Sequence, residues 1–336
     1  MANEKIRWGV LGTARIADAH VRAIKESGTS ELAAIASRDL ASAQDWARER
    51  DVPHAFGSYD EMLASDVIDA VFVPLPNALH KEWSIRAMQH GKHVLCEKPL
   101  ASNADEVREL IAAADASGVS MMEGFMYRFH PQMARLRKLL ADGAIGKPVL
   151  IRATFGFLLQ KPDDVRWRAD LAGGSLMDVG CYCVNAALLV SGGVPATVSA
   201  QERLSTSGVD ESLAGTMEFP DGTLAVIDCS FRTGGPMQQS LSISGTRGSI
   251  YLSQPFRADD NAPTIVVQTA PEGTREGATE TIEVPRANQY TLMHESFARA
   301  ILGNQPLAYT LRDSLATMQV IDALKVSART GRRVEV

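Results

Sequence analysis

Apolar residues fall in short unbroken runs through the first third of the chain, and alternate with polar ones through much of the rest. The early runs, Ile6–Leu11, Glu31–Ala36, Asp69–Val73, His93–Cys96 and Ser120–Glu123, read as buried strands, with a shorter one at Ala55–Gly57. Between them lie segments of helical period: Arg15–Ser27, Ala41–Arg50, Tyr59–Ala64, Leu79–His90 and Asn103–Ser117. Asn103 and Glu106 have capping-box spacing at the start of the last of these. Strands alternating with helices at this spacing predict a parallel, doubly wound α/β sheet, which binds ligands at the carboxyl ends of its strands.

The pattern changes after Glu123. Pro131–Asp142 reads as an amphipathic helix and Val149–Phe157 as a long strand, followed by an irregular loop, Gln160–Ala172, that contains Arg166-Trp167-Arg168. Strands are predicted at Thr197–Leu204, Glu211–Phe219, Thr223–Phe231, Gln238–Ser244 and Ser249–Leu252, with a hairpin signal at Asp221-Gly222. Alternation in Leu224, Val226 and Leu241, Ile243 buries one sheet face. The polar stretch Asp259–Glu283 is expected to form a mobile or edge hairpin, and helices at Gln289–Leu302 and Leu311–Thr330 close the chain. Two domains follow: 1–123, the parallel sheet, and 124–336, an α+β domain with a large, mostly antiparallel sheet.

Composition narrows the function classes. Apolar residues are 45% and charged residues 22%, an ordinary globular mixture. A formal charge of -6 leaves no basic footprint for nucleic acid. No apolar run is read as a membrane span, and the N-terminus lacks the apolar stretch of a signal peptide. The cysteines at 96, 181, 183 and 229 read as buried thiols of a reducing compartment, with neither a disulfide nor a metal site indicated. A cytoplasmic location is expected.

Every unusual loop of the first domain falls at a strand's carboxyl end. Gly12-Thr13-Ala14-Arg15-Ile16-Ala17 has the layout of a dinucleotide-binding turn, with alanine at the second and third glycine positions. Any strand-turn-helix unit shares such a turn, but the later spacing strengthens it. At the end of the second strand, where an acid would accept bonds from a free 2'-hydroxyl, stand Ser37 and Arg38. A guanidinium there suits a 2'-phosphate, which favours NADP over NAD, although an exposed arginine opening a helix looks the same. Leu75, Asn77 and His80 occupy a third loop, and Glu97-Lys98-Pro99 a fourth. Lys98 follows an apolar strand directly and Pro99 restricts its backbone, so it can hold a substrate hydroxyl or be a surface lysine. His80 reads equally as a loop-orienting residue and a cofactor contact.

In the second domain, Gly173-Gly-Ser-Leu-Met-Asp178-Val-Gly-Cys-Tyr182 places an acid and a phenol four apart, on one helical face. Gly173 and Gly174 allow a tight turn before it and Ser175 can cap the helix. The pair suits proton transfer, or it is a satisfied polar pair at a helix start.

Taken together, the Gly12–Ala17 turn, Pro76-Asn77-Ala-Leu-His80, Gly91-Lys-His-Val-Leu-Cys-Glu97-Lys98-Pro99-Leu100 and Gly173–Tyr182 resemble the Gfo/Idh/MocA (glucose–fructose oxidoreductase and inositol dehydrogenase) family over the full length. The resemblance implies a Rossmann domain in front and catalytic roles for Lys98, Asp178 and Tyr182. Tyrosine at the last position is as in the sugar oxidoreductase and dihydrodiol dehydrogenase branches. Trp167 and Arg168 are similar to an aromatic-basic pair lying near the cofactor. The implied reaction moves a hydride between NADP and a sugar, polyol or related cyclic hydroxyl compound, with Trp167, Phe155 and Tyr290 suited to a sugar face. Two other readings stand beside it: an aldose–aldose oxidoreductase that retains its nucleotide, and a non-catalytic nucleotide-binding sensor. A homodimer or homotetramer through the second sheet is expected, with Val198, Leu213, Val226 and Phe231 as candidates on its open face.

Overall fold

The computed structural model describes residues 5–258, 262–271, 274 and 276–336. They form two compact units, Met1–Met126 with Asn288–Leu315, and Tyr127–Ala287 with Ala316–Val336.

The first unit is a six-stranded sheet: β1 (Ile6–Leu11), β2 (Ser30–Ala36), β3 (His54–Phe56), β4 (Ala70–Val73), β5 (His93–Cys96) and β6 (Met121–Glu123). The strands lie in the order β3-β2-β1-β4-β5-β6 and all pair in parallel. The order reverses between β1 and β4, the crevice where doubly wound sheets bind nucleotides. Helices α1 (Ala17–Glu26), α2 (Leu40–Glu49), α3 (Tyr59–Leu63), α4 (His80–Gln89) and α5 (Ala104–Ser117) alternate with the strands, within a residue or two of the predicted bounds. The capping box at α5 is present in altered form. Glu106 N donates to Asn103 Oδ1 at 2.9 Å, but the Glu106 carboxylate accepts from Ser102 N, one residue early.

The expected boundary at 123–124 leaves out one feature. After α6 (Pro131–Ala141) and α7 (Cys181–Ser191) of the second unit, α8 (Gln289–Ile301) returns to pack on α1 and β2. His294 and Phe297 of α8 lie 4.6 and 5.9 Å from the ring of the fully buried Trp8. Residues 288–315 therefore complete the first hydrophobic core.

The second unit carries a nine-stranded sheet: β7 (Pro148–Gly156), β8 (Thr197–Leu204), β9 (Asp210–Glu218), β10 (Leu224–Ser230), β11 (Gln238–Gly245), β12 (Gly248–Leu252), β13 (Thr264–Thr269), β14 (Ala278–Glu283) and β15 (Val334–Glu335). Their order is β14-β13-β12-β11-β7-β10-β9-β8-β15, antiparallel except where β7 meets β10. Asp221-Gly222 makes the predicted β9–β10 hairpin, with Gly222 at φ +87° and Asp221 accepting from Thr223 N at 3.0 Å. The polar stretch forms the edge hairpin β13–β14; of its residues, 259–261, 272–273 and 275 lie outside those described. β15, too short to carry a periodic signal, pairs with β8 after α9 (Leu311–Thr330).

The face assignment corrects the expected oligomer surface. Val198, Leu213 and Phe231 are buried on the inner face, and of the residues named only Val226, 39% exposed, lies on the open one. Leu224 and Tyr251 accompany it there, beside a Thr154–Asp228 hydrogen bond of 2.7 Å. Alternation shows that two faces differ but not which one the helices cover. The stretch 169–191 is apolar, with mean hydropathy 1.3, but Ala172 (φ +55°) and Gly174 (φ +113°) break its helical run. It is 72% buried inside the protein, as a core helix is.

Candidate active site

In the first unit the loops at the carboxyl ends of the strands are tied to one another. Gly12 has φ +88°, and its N–H donates to Ala36 O at 2.8 Å. A Cβ on Gly12 would meet Tyr59 Oη at 3.1 Å and a Leu75 methyl at 3.3 Å, so conformation and space both demand glycine. Thr13 and Arg15 are exposed in the turn that Ala14 and Ile16 complete before α1. Ser37 N donates to Phe56 O, which fixes the end of β2, and Arg38 is exposed just beyond it. Asp39, the nearest acid, is the N-cap of α2 and accepts from Ser42 N at 2.8 Å and Ser42 Oγ at 2.6 Å. These bonds hold its carboxyl below the usual range.

Asn77 opens a short 3₁₀ turn that leads into α4. His80 follows it, wholly buried, with Nδ1 2.8 Å from Pro99 O and Nε2 2.7 Å from Leu75 O. Burial pushes its pKa down, while two carbonyl acceptors favour the doubly protonated ring. The imidazole thus joins the Leu75 loop to the Glu97-Lys98-Pro99 loop, whose Lys98–Pro99 peptide is cis.

Glu97 accepts from His20 Nε2 at 3.1 Å through one carboxylate oxygen and from Lys98 N at 3.3 Å through the other. Burial works to raise its pKa, but His20 and Lys98 prevail and hold it below the usual value. Beneath the loop, Glu123 at the end of β6 accepts from Leu100 N at 2.8 Å and from Tyr309 Oη at 3.4 Å. Burial pushes this carboxyl up to about 7.

In the second unit the acid–phenol element is not a plain helix. Leu176–Gly180, which includes Asp178, is a π-helical turn that runs into α7. Such turns gather at functional sites because they shift side chains out of α register. Ser175 does not cap it: its backbone is helical and no side-chain cap bond forms. Asp210 of β9 does this work, accepting Ser175 Oγ at 2.6 Å and Leu176 N at 2.7 Å with one oxygen. A Cβ on Gly174 (φ +113°) would come within 2.1 Å of that carboxylate. Burial raises Asp210 to about 6.

Asp178 receives Arg166 Nε at 2.7 Å, and the same guanidinium reaches Asp164 at 3.2 Å. Asp178 is the main cause of the upward shift at Arg166. Tyr182, 5% exposed, sits among the rings of Phe155, Phe256 and Tyr127, with centroids 5.3, 5.5 and 5.8 Å away. Tyr127 Oη donates to Asn185 Oδ1 at 2.6 Å, one turn further along α7. The remaining candidates have local partners. Trp167 Nε1 donates to Lys161 O, its ring meets Phe231 at 5.2 Å, and Arg168 is ion-paired with Asp170. Tyr290, 8% exposed, packs on His20 in the first unit.

Arg166, Asp210, His20 and His294 escaped the sequence reading. Arg166 stood in a triplet with Arg168, and nothing local separates the two. Asp210 is a strand residue and Asp178 a residue of a distant helical turn, so only the fold relates them. All four cysteines are buried, and among the described residues none is joined in a disulfide.

A nucleotide-type crevice in a parallel sheet, and an arginine-held acid beside a phenol in an aromatic box, define an oxidoreductase of two-unit architecture. The chain belongs to the Gfo/Idh/MocA family. The family described as oxidoreductase family, NAD-binding Rossmann fold, matches residues 6–125, and the Gfo/Idh/MocA C-terminal domain matches residues 133–251. The protein is therefore an NAD(P)-dependent oxidoreductase. It is 38% identical over 330 residues to D-xylose 1-dehydrogenase (NADP(+)) 2 of Haloferax volcanii, covering 98% of this chain and 99% of that one. It is 37% identical over 250 residues to trans-1,2-dihydrobenzene-1,2-diol dehydrogenase of Xenopus laevis, covering 73% and 74%. Among solved structures, a 3-ketoreductase from Actinomadura kijaniata in complex with NADP superposes with a TM-score of 0.88 at 29% identity, covering 96% and 98%. An aldose–aldose oxidoreductase from Caulobacter crescentus superposes with a TM-score of 0.88 at 27% identity, covering 99% and 100%.

Proposed function

We propose that this protein is an NADP-dependent dehydrogenase of a sugar, with an aldose such as a pentose as the first substrate to test. The observation that carries the reading is the Arg166–Asp178 pair beside Tyr182 in its aromatic box. Likeness to the xylose dehydrogenase over nearly the whole chain supports the substrate class.

The residues at the end of β2 fit NADP. Asp39 is already engaged by Ser42, so it is a poor acceptor for a ribose hydroxyl, whereas Arg38 is exposed and cationic. Gly12 supplies the tight bend of a dinucleotide-binding turn, at φ +88° and with no room for a Cβ. Bound NADP supplies or takes the hydride at a carbon that bears oxygen. Tyr182 Oη moves the proton of that oxygen, and the Lys98 ammonium stabilises the negative charge that develops on it. A phenol with pKa of about 10 is a weak base at neutral pH, and it gains from any cation that favours its phenolate. Asp178, immobilised by Arg166, accepts from an adjacent substrate hydroxyl. His80 and Glu97 hold the loops, and Trp167 and Arg168 border the cofactor.

An aldose–aldose oxidoreductase that keeps NADP(H) bound is the second reading, favoured by the likeness to the Caulobacter structure. Absorbance of the purified protein near the reduced-nicotinamide band separates the two. A spectrophotometric screen of aldoses and polyols with NADP and NAD tests the proposal itself; no turnover of any of them would sink it. We also propose a cytoplasmic location, suited to four buried thiols, and a homodimer or homotetramer through the open sheet face around Val226 and Leu224. A monomer mass by light scattering at micromolar concentration would overturn that assembly.

A further inference from the structure

We propose that His20 and His294 are positioning residues: a buried two-imidazole chain that directs its protons at the Glu97 carboxylate and, through it, sets the place of Lys98. This rests on the reading above in which Lys98 takes part in the reaction. His20 of α1 is fully buried, stacked on Phe72 at 3.6 Å with an interplanar angle of 15°. Its Nε2 is 3.1 Å from Glu97 Oε1, and its Nδ1 is 3.0 Å from Nε2 of the fully buried His294 of α8.

The partners dictate where the hydrogens lie. An ionised carboxylate only accepts, so His20 carries its proton on Nε2. A neutral His20 then accepts at Nδ1, and His294 donates from Nε2. That leaves His294 Nδ1 bare, and this atom is buried with no hydrogen-bond partner among the described residues. The reverse arrangement requires an imidazolium at His20 and a buried N–H without an acceptor at His294, the costlier defect. Burial and the neighbouring His20 push the His294 pKa far down, which agrees with a neutral ring. Glu97 spends its other oxygen on Lys98 N, so the chain runs from α8 through α1 to the backbone of the candidate catalytic lysine. Removal of the His294 donor leaves His20 Nδ1 buried without a partner and the ring held by Glu97 alone.

The test uses histidine-selective ¹⁵N labelling of the full chain, whose seven histidines are assigned by single substitutions. Both His20 and His294 should show the Nε2–H tautomer at neutral pH. In His294→Leu, His20 should keep its proton on Nε2, because the Glu97 carboxylate still accepts it, while its Nδ1 signal should move to that of an acceptor with no donor. The kcat with NADP and the sugar found in the screen should fall roughly two- to tenfold, the worth of one hydrogen bond between neutral groups, with KM and NADP affinity near wild type. His294→Gln, whose amide can donate from about the same point, should restore both. His294→Met replaces the leucine variant if that one does not fold. An Nδ1–H tautomer at His20 in the wild type, an unmoved His20 Nδ1 signal in His294→Leu, or equal kcat in the leucine and glutamine variants would overturn the proposal. If the protein has no dehydrogenase activity at all, the tautomers still decide whether the chain exists, so that failure is separable.

Discussion

The Arg166 guanidinium holds Asp178 through Nε at 2.7 Å, and both side chains are largely withdrawn from solvent, at 36% and 14% exposure. An acid in this state is a fixed acceptor rather than a proton shuttle, because its charge is already matched. It leaves Tyr182, four residues on, as the group of the element suited to move a proton.

Arg166→Ala should therefore damage substrate placement more than nucleotide binding. With a half-buried charge pair broken, kcat/KM for the sugar should drop by about 10–100-fold, since a hydrogen bond between charged groups is worth about 1.5–3 kcal/mol. Nucleotide affinity by fluorescence titration should hold. Asp178→Asn should act in the same direction. Unchanged kcat/KM in both variants would mean that the ion pair serves only the loop.

Tyr182→Phe removes one oxygen and keeps the ring packed against Phe155 and Phe256. Fold and NADP affinity should survive, while turnover falls by the roughly 10²–10⁴ of general acid–base catalysis. Lys98→Ala should lower turnover by about 10²–10³, as loss of an electrostatic stabiliser does. Stopped-flow hydride transfer at near-wild-type rate in the phenylalanine variant would move the proton transfer to Lys98.

Arg38→Ala should weaken NADP by a charge-assisted contact, about 1.5–3 kcal/mol, and leave NAD nearly untouched. Isothermal titration with the two nucleotides reads the difference directly. Equal losses would show that Arg38 only shapes the end of β2.

Glu123 makes stability depend on pH. Its folded pKa of about 7 lies above the ordinary 4.5, so between those values the folded state binds more protons than the unfolded one. Unfolding free energy should then fall as pH rises through that window, by an amount on the order of 3 kcal/mol. Glu123→Gln keeps an acceptor for Leu100 N and removes the charge. Urea titrations at pH 5 and pH 8 should show the variant gaining on the wild type as pH rises. A constant gap between them would refute the assignment.

What the sequence determined by itself was local. Strand and helix runs follow from periodicity, the Gly12 turn from a bend only glycine accommodates, and the α5 start from residues three apart. Lys98, Asp178 and Tyr182 stood out as candidates because motif and helical spacing are short-range properties. Tertiary structure decided whatever depends on a partner distant in the chain. It replaced Ser175 by Asp210 as the cap of the π-helical turn, chose Arg166 over Arg168 for Asp178, and brought His294 within 3.0 Å of His20 across 274 residues. It also turned Val198, Leu213 and Phe231 inward. Alternation carries the period of a strand but not its sign. Which face is covered, and which buried charge meets which, is settled only when the elements pack and each desolvated group must find its partner.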